Sequence, residues 1–338
     1  LPLDYTLPVA SAQVKSAVML AGLCALLTVI RHTRADEEAG RTELIGAAAV
    51  GRYAQLGAAL LTTIAAGAVL GLVLAVAMIS QGLPVTGSLA FGAEFTVSCW
   101  AFAAVAAIAA QLTSGARSAR TIAVVALGVA YVLRVAGDIS ALGSGTLSWL
   151  SWLTPLGWAT HIFPYGKVAW WPVILAVLCT LAAMAVAVAL LRRRDVAGGL
   201  LPARLGRPSA APGLRSPLAL AWRLHRGLLA GWTVGFALLG LVFGGVGSSV
   251  RELAQDSTAL TEIFGRLGGA GDLVDNYFAG TAGIVGLVAA CYAVQATLRM
   301  RDEEQTGRAE AVLSTAVSRY AWAGSHLLFS LLGPAVAL

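Results

Sequence analysis

The chain alternates long apolar runs with short charged segments. Seven runs of about 20 residues are long enough to cross a hydrocarbon core of roughly 30 Å as α-helices. They are Val9–Ile30, Ala54–Ile79, Phe95–Leu112, Ile122–Ala136, Val168–Leu191, Leu228–Val246 and Ala279–Leu298, and an eighth opens near Ala321. The strict alternation that marks a membrane β-barrel strand is missing. The predicted fold class is therefore all-α, a polytopic transmembrane helical bundle.

Orientation follows from where the basic residues fall. Segments 31–53, 113–120, 192–227 and 299–320 hold 18 of the 23 Lys and Arg residues, and the loops on the other side hold Lys15, Arg134, Lys167, Arg251 and Arg266. The positive-inside bias puts the first four segments in the cytoplasm, and the alternation holds across every predicted span. Segment 192–227, rich in Arg, Pro and Gly, reads as a cytoplasmic linker. It separates a first transmembrane bundle (1–191), with a charged elbow at 31–53, from a second (228–338), with an elbow at 299–320. Five of the nine tryptophans, Trp149, Trp152, Trp158, Trp170 and Trp171, crowd the opposite side. They read as an aromatic belt, with short interfacial or re-entrant helices around Pro155 and Gly157.

Composition sharpens this picture. Only 12% of the residues are charged and 58% are hydrophobic, whereas a soluble domain carries roughly 25% charge. Too little polar surface remains to coat a soluble globule of this size, so a lipid bilayer is the expected solvent. The net charge of +6 is spread over short loops and forms no single stripe, so nucleic acid is not an expected partner. The predominance of Ala, Gly and Arg suits a GC-rich bacterial genome, hence a bacterial plasma membrane. Cys24, Cys99, Cys179 and Cys291 each lie in an apolar run without paired spacing; they read as small packing residues, with no disulfide and no metal expected.

The chain also repeats itself. With Arg34 set on Arg301, an offset of 267, thirteen of the 28 positions from 34 to 61 are identical, and Cys24 falls on Cys291. The predicted architecture is two parallel-oriented repeats of about six helices each, the second incomplete. The spacing predicts an intact protein of roughly 500–550 residues with about twelve spans, so this chain reads as lacking a first span and a C-terminal third. With those helix faces unpaired, the chain is expected to be poorly stable by itself.

Each copy carries Arg-x-[Asp/Glu]-Glu-x-x-Gly-Arg-x-Glu and then Arg-Tyr. The positions are Arg34, Asp36, Glu37, Gly40, Arg41, Glu43, Arg52 and Tyr53, and then Arg301, Glu303, Glu304, Gly307, Arg308, Glu310, Arg319 and Tyr320. Glycine permits a sharp change of direction where a span leaves the membrane. The residues after it, Thr42–Val50 and Ala309–Val317, can form a short interfacial helix. Opposite charges one helical turn apart can lock the bend. A solvated, salt-bridged loop is the alternative for either copy; two copies in one order favour an elbow that receives force from a cytoplasmic partner.

The run at 37–45 and its partner at 303–312 resemble the signature of type-2 ABC exporter permeases. More narrowly, the chain is similar to the double-length membrane subunits described as exporters of polyketide antibiotics (tetronasin-like). The stretches 133–138 and 153–158 and the Trp-Trp-Pro at 170–172 support this. The resemblance implies that the elbows hold coupling helices docking on a separate ABC ATP-binding subunit, expected as a homodimer. Arg34, Glu37, Gly40, Arg41, Glu43 and Arg52, with Arg301, Glu304, Gly307, Arg308, Glu310 and Arg319, would then couple to that subunit. ATP and Mg would bind there and not on this chain, and the substrate would be a small amphipathic compound.

Other chemistry is sparse. The only lysines, Lys15 and Lys167, sit in no phosphate-binding loop. Arg134 and Asp138, four apart at the outer end of the fourth span, read as a structural ion pair. Glu94 reads as solvated at the start of the third span. His161 lies in the Trp-rich outer segment without a carboxylate at ligand spacing, and His32, His225 and His326 are scattered. The acidic stretch 249–276 reads as a solvated external helix pair, with attraction of cationic substrates as the alternative. An ion-coupled transporter is the alternative function and would need carboxylates buried in the spans. A polytopic lipid-modifying enzyme would need clustered acids or histidines at one interface.

Overall fold

The computed structural model describes residues 7–42, 50–142, 146–195, 198–201, 209, 211–256 and 273–338, and every regular element among them is helical. Helix α1 (Leu7–Ile30) runs on through a π-helical turn, Arg31–Ala35, into a last step, Asp36–Glu38. Then come α2 (Ala54–Ser80), α3 (Val85–Leu112) and α4 (Ala116–Leu142). A 3₁₀ turn, Ser148–Leu153, leads to α5 (Pro155–Thr160) and α6 (Trp171–Arg193). Beyond them lie α7 (Pro217–Asp256), α8 (Leu273–Gln305), α9 (Arg308–Leu313) and α10 (Arg319–Ala337). Among the described residues, five helical stretches are long and apolar enough to cross a membrane: Ala17–Glu38, Ala54–Ser80, Val85–Leu112, Ala116–Asp138 and Trp171–Arg193. The chain divides into two compact units, Leu1–Leu205 and Gly206–Leu338.

In the first unit α3 is the axis. It packs against α1, α2, α4 and α6, and its run Ala101–Ala104, Ala106, Ala107, Ala109 and Ala110 is buried. Small residues let the neighbouring backbones come close, because lipid offers no hydrophobic drive for helix pairing and tight van der Waals packing must supply the association. At the α2–α3 crossing, a Cβ on Gly92 would lie 2.2 Å from the Gly71 carbonyl oxygen, so both positions need glycine. Polar side chains of α3 bond the backbones around it: Ser98 Oγ donates to Val18 O (2.9 Å) and Trp100 Nε1 to Ile64 O (3.0 Å). Such bonds contribute about 0.6 kcal/mol each inside a membrane protein. The outer helices turn large apolar residues outward, among them Leu61, Val69, Leu72, Ile174, Leu178 and Leu181, the surface a bilayer would cover.

The second unit packs α7, α8 and α10 together, with Phe236, Ala289 and Ala337 in its core. Trp232 Nε1 donates to Gln295 Oε1 at 2.9 Å. His225 and His326, far apart in sequence, meet as a buried pair with Nε2 and Nδ1 2.9 Å apart; they are not scattered, as the sequence had suggested.

Several expected boundaries move. The third span starts ten residues early, at Val85, because Gly87, Ser88 and Gly92, which break the apolar run, are buried packing positions. Glu94 consequently sits inside α3 and is 6% exposed, which corrects its reading as a solvated residue. Helix α7 begins at Pro217, inside the stretch read as linker, and spans 40 residues. The acidic stretch 249–276 lies partly outside the described residues.

Candidate functional site

Each elbow ends its helix in the same way. In the first, Ala39 N donates to Ala35 O and Gly40 N to Glu37 O, both at 3.1 Å. In the second, Thr306 N donates to Asp302 O (3.1 Å) and Gly307 N to Glu304 O (3.0 Å). Gly40 has φ +71° and Gly307 φ +70°, the left-handed conformation that closes helices and that residues with a Cβ adopt at a cost. These are the same four backbone positions displaced by 267 residues.

The rims of the two elbows also correspond. Asp36 pairs with Arg41 at 2.8 Å and faces His32 at 3.9 Å. Glu303 pairs with Arg308 at 3.2 Å and with Arg299 at 3.1 Å. The acid one residue before the shared glutamate thus bridges a base one turn back and the arginine just past the glycine. Residues 43–49 lie outside the described residues, Glu43 and most of the expected Thr42–Val50 helix among them. In the second elbow the helix after the glycine is α9, six residues long, with Glu310 exposed in its first turn. Ser318 then caps α10 by accepting from Ala321 N at 3.1 Å, and Arg319 opens that helix exposed.

The centres of the elbows differ. Arg34 is 1% exposed; its Nη1 donates to Glu37 Oε2 at 2.6 Å and its Nη2 to Gly198 O at 2.5 Å. Arg194, just past the end of α6, grips the same carboxylate with both terminal nitrogens, at 2.8 and 2.9 Å. Its Nε donates to Gln111 Oε1 at 2.6 Å, and its Nη1 to Gly198 O at 3.0 Å. Two guanidinium groups therefore share one carboxylate, and the carbonyl dipoles of Gln111 and Gly198 offset the excess positive charge. Buried charges are tolerated only when paired and hydrogen-bonded in this manner.

Other bonds fasten the far limb. Arg52 donates to the carbonyls of Leu191 (2.9 Å) and Arg194, while Arg192 donates to the Tyr53 hydroxyl at 3.1 Å and lies over its ring. Glu38 accepts from Ala116 N at 2.9 Å. In the second elbow Arg301 and Glu304 are exposed, and neither forms an ion pair among the described residues.

On the other side of the first unit, Arg134 Nε lies 3.2 Å from Asp138 Oδ2, which also accepts from Lys15 Nζ at 3.2 Å. Trp152 stacks on Trp171 (centroids 4.7 Å apart), and the ring of His161 lies tilted against it (3.9 Å). Thr154 caps α5 by accepting from Gly157 N at 3.1 Å, and Pro155 takes the first helical position, where its missing N–H costs nothing.

The family described as "Multidrug efflux system permease Rv1217c, C-terminal domain" matches residues 8–192 and 214–338. The chain belongs to this family. It is 46% identical over 319 residues to the multidrug efflux system permease protein Rv1217c of Mycobacterium tuberculosis (strain ATCC 25618 / H37Rv). That match takes in 94% of this chain and 57% of the relative, so the chain spans a little over half of the permease it resembles. The efflux permease family accords with the candidate membrane spans described above. It names no residue.

Sequence reasoning missed Arg194 and Gln111. Arg194 was one of three consecutive arginines that the positive-inside bias already explained. Gln111 stood alone at the end of an alanine-rich run, and a lone uncharged polar residue there was the one available signal. Asp36 and Glu303 were part of the motif but not recognised as the hubs of their rims.

Proposed function

We propose that this chain forms part of the permease of an ATP-driven exporter in a bacterial plasma membrane, and that it moves small amphipathic, drug-like compounds outward. A separate ABC ATP-binding subunit, working as a dimer that carries ATP and Mg, docks on the two elbows. Segments 31–53, 113–120, 192–227 and 299–320 face the cytoplasm in this reading. The observation that carries it is the matching elbow geometry: one glycine conformation and one acid-centred rim, both repeated at an offset of 267 residues. Two like elbows suit a motor with two like faces, and they support a pair of parallel repeats. The family membership and its two matched stretches, 8–192 and 214–338, add support.

The test uses the full-length permease with its ATP-binding subunit. Arg41→Glu together with Arg308→Glu should weaken co-purification of that subunit at least about tenfold, the effect of roughly 1.4 kcal/mol lost at charged contacts. Unchanged co-purification and unchanged stimulation of ATP hydrolysis would overturn the docking role.

One observation favours a second reading, an ion-coupled carrier: the carboxylate of Glu94 is buried within a membrane-spanning helix, where ionisable groups are costly and commonly functional. Glu94→Gln separates the two. It should leave ATP-driven export intact in the first reading and abolish gradient-driven export in the second.

A further inference from the structure

Arg194 holds three separate parts of the first unit. Its side chain grips Glu37 on the near limb of the elbow and Gln111 at the end of α3, and its backbone carbonyl accepts from Arg52 on the far limb. Both limbs are therefore fixed to the cytoplasmic end of α6. The other end of α6 is fixed as well, because Trp171 in its first turn stacks on Trp152 of the 3₁₀ turn, and Trp152 lies against the tilted ring of His161. Between the two ends runs an unbroken helix of 23 residues, about 35 Å long at 1.5 Å per residue.

We propose that Arg194 is a positioning residue that makes α6 the rod joining the first elbow to the outer aromatic platform. This rests on the export reading above and assigns the residue through which motion of the elbow leaves it. The bidentate grip matters because two parallel N–H···O bonds fix the angle of the carboxylate as well as its distance. A lysine supplies a point charge on a flexible stem and cannot hold Glu37 and Gln111 together. Displacement of the elbow therefore carries α6 with it in the native protein, and the Trp152–Trp171 stack delivers that displacement to residues 148–160. The α3 end moves in concert through Gln111.

The experiment uses the full-length permease with its ATP-binding subunit, carrying Leu153→Cys as an outer reporter; Leu153 is exposed and adjoins Trp152. A membrane-impermeant maleimide is applied from outside, with and without ATP plus vanadate. In the reporter protein, trapping nucleotide should change the labelling rate. Arg194→Lys should keep co-purification of the ATP-binding subunit and basal ATP hydrolysis while shrinking that change roughly 2- to 30-fold, the range for substitutions lying between coupled sites. Gln111→Leu should shrink it less, in the same direction, and carries the test if Arg194→Lys does not accumulate. A full nucleotide response in whichever variant accumulates overturns the rod. A reporter protein that binds no ATP-binding subunit, or shows no nucleotide response at all, overturns the export reading itself.

Discussion

Arg34 and Arg301 occupy the same position of the two elbows, yet Arg34 is 1% exposed and Arg301 faces outward. Tyr53 lies under the guanidinium of Arg192, whereas Tyr320 is 91% exposed. The rims match because all their partners sit within ten residues of one another in sequence. The centre of the first elbow depends on Arg194, which is 157 positions from Glu37. A local motif thus encodes the bend and its rim, and a remote residue determines whether the bend is locked. The rim is the part common to both elbows, and its arginines, Arg41 and Arg308, are exposed.

The largest effect should come from breaking the lock on one side only. Glu37→Ala leaves two buried guanidinium groups without their carboxylate and should destabilise the full-length protein by about 3–5 kcal/mol. Glu304→Ala, at an exposed position, should stay within about 0.5 kcal/mol. Thermal unfolding of both variants in detergent measures the difference, and equal losses would erase the distinction between the elbows. Next come the glycines. Nothing lies within 4 Å of a Cβ built on Gly40 or Gly307, so alanine there meets no clash and only the left-handed backbone resists it. Gly40→Ala and Gly307→Ala should each cost about 1–2 kcal/mol, and by similar amounts. Smallest are the rim pairs: Arg41→Ala and Arg308→Ala remove half-exposed ion pairs and should each cost about 0.2–1 kcal/mol of stability, although both should impair docking of the ATP-binding subunit.

Much of this fold was legible because membrane helices advertise themselves by length and apolarity. The predicted runs at 9–30, 54–79 and 168–191 coincide with α1, α2 and α6 to within a few residues. The third run lost its first ten residues because glycine and serine look polar in a window average, while inside a bundle they are the residues that let helices touch. The bends at Gly40 and Gly307 were legible for a related reason, since glycine followed by arginine after an acidic pair states a helix stop in local terms. The lock was not legible. Arg194 and Gln111 come together with Glu37 only once α1, α3 and α6 are packed, and a run of three arginines conceals which one turns inward. The pairing of His225 with His326 was hidden by the same distance in sequence.

If both elbows face the same motor, both must lie on the cytoplasmic side. Single cysteines at positions 41 and 308 of the full-length permease, placed in a background without its native cysteines, can be exposed to a membrane-impermeant maleimide in intact cells and in inverted vesicles. Both positions should be protected in cells and labelled in inverted vesicles. Labelling of one position in cells and of the other only in inverted vesicles would contradict that placement.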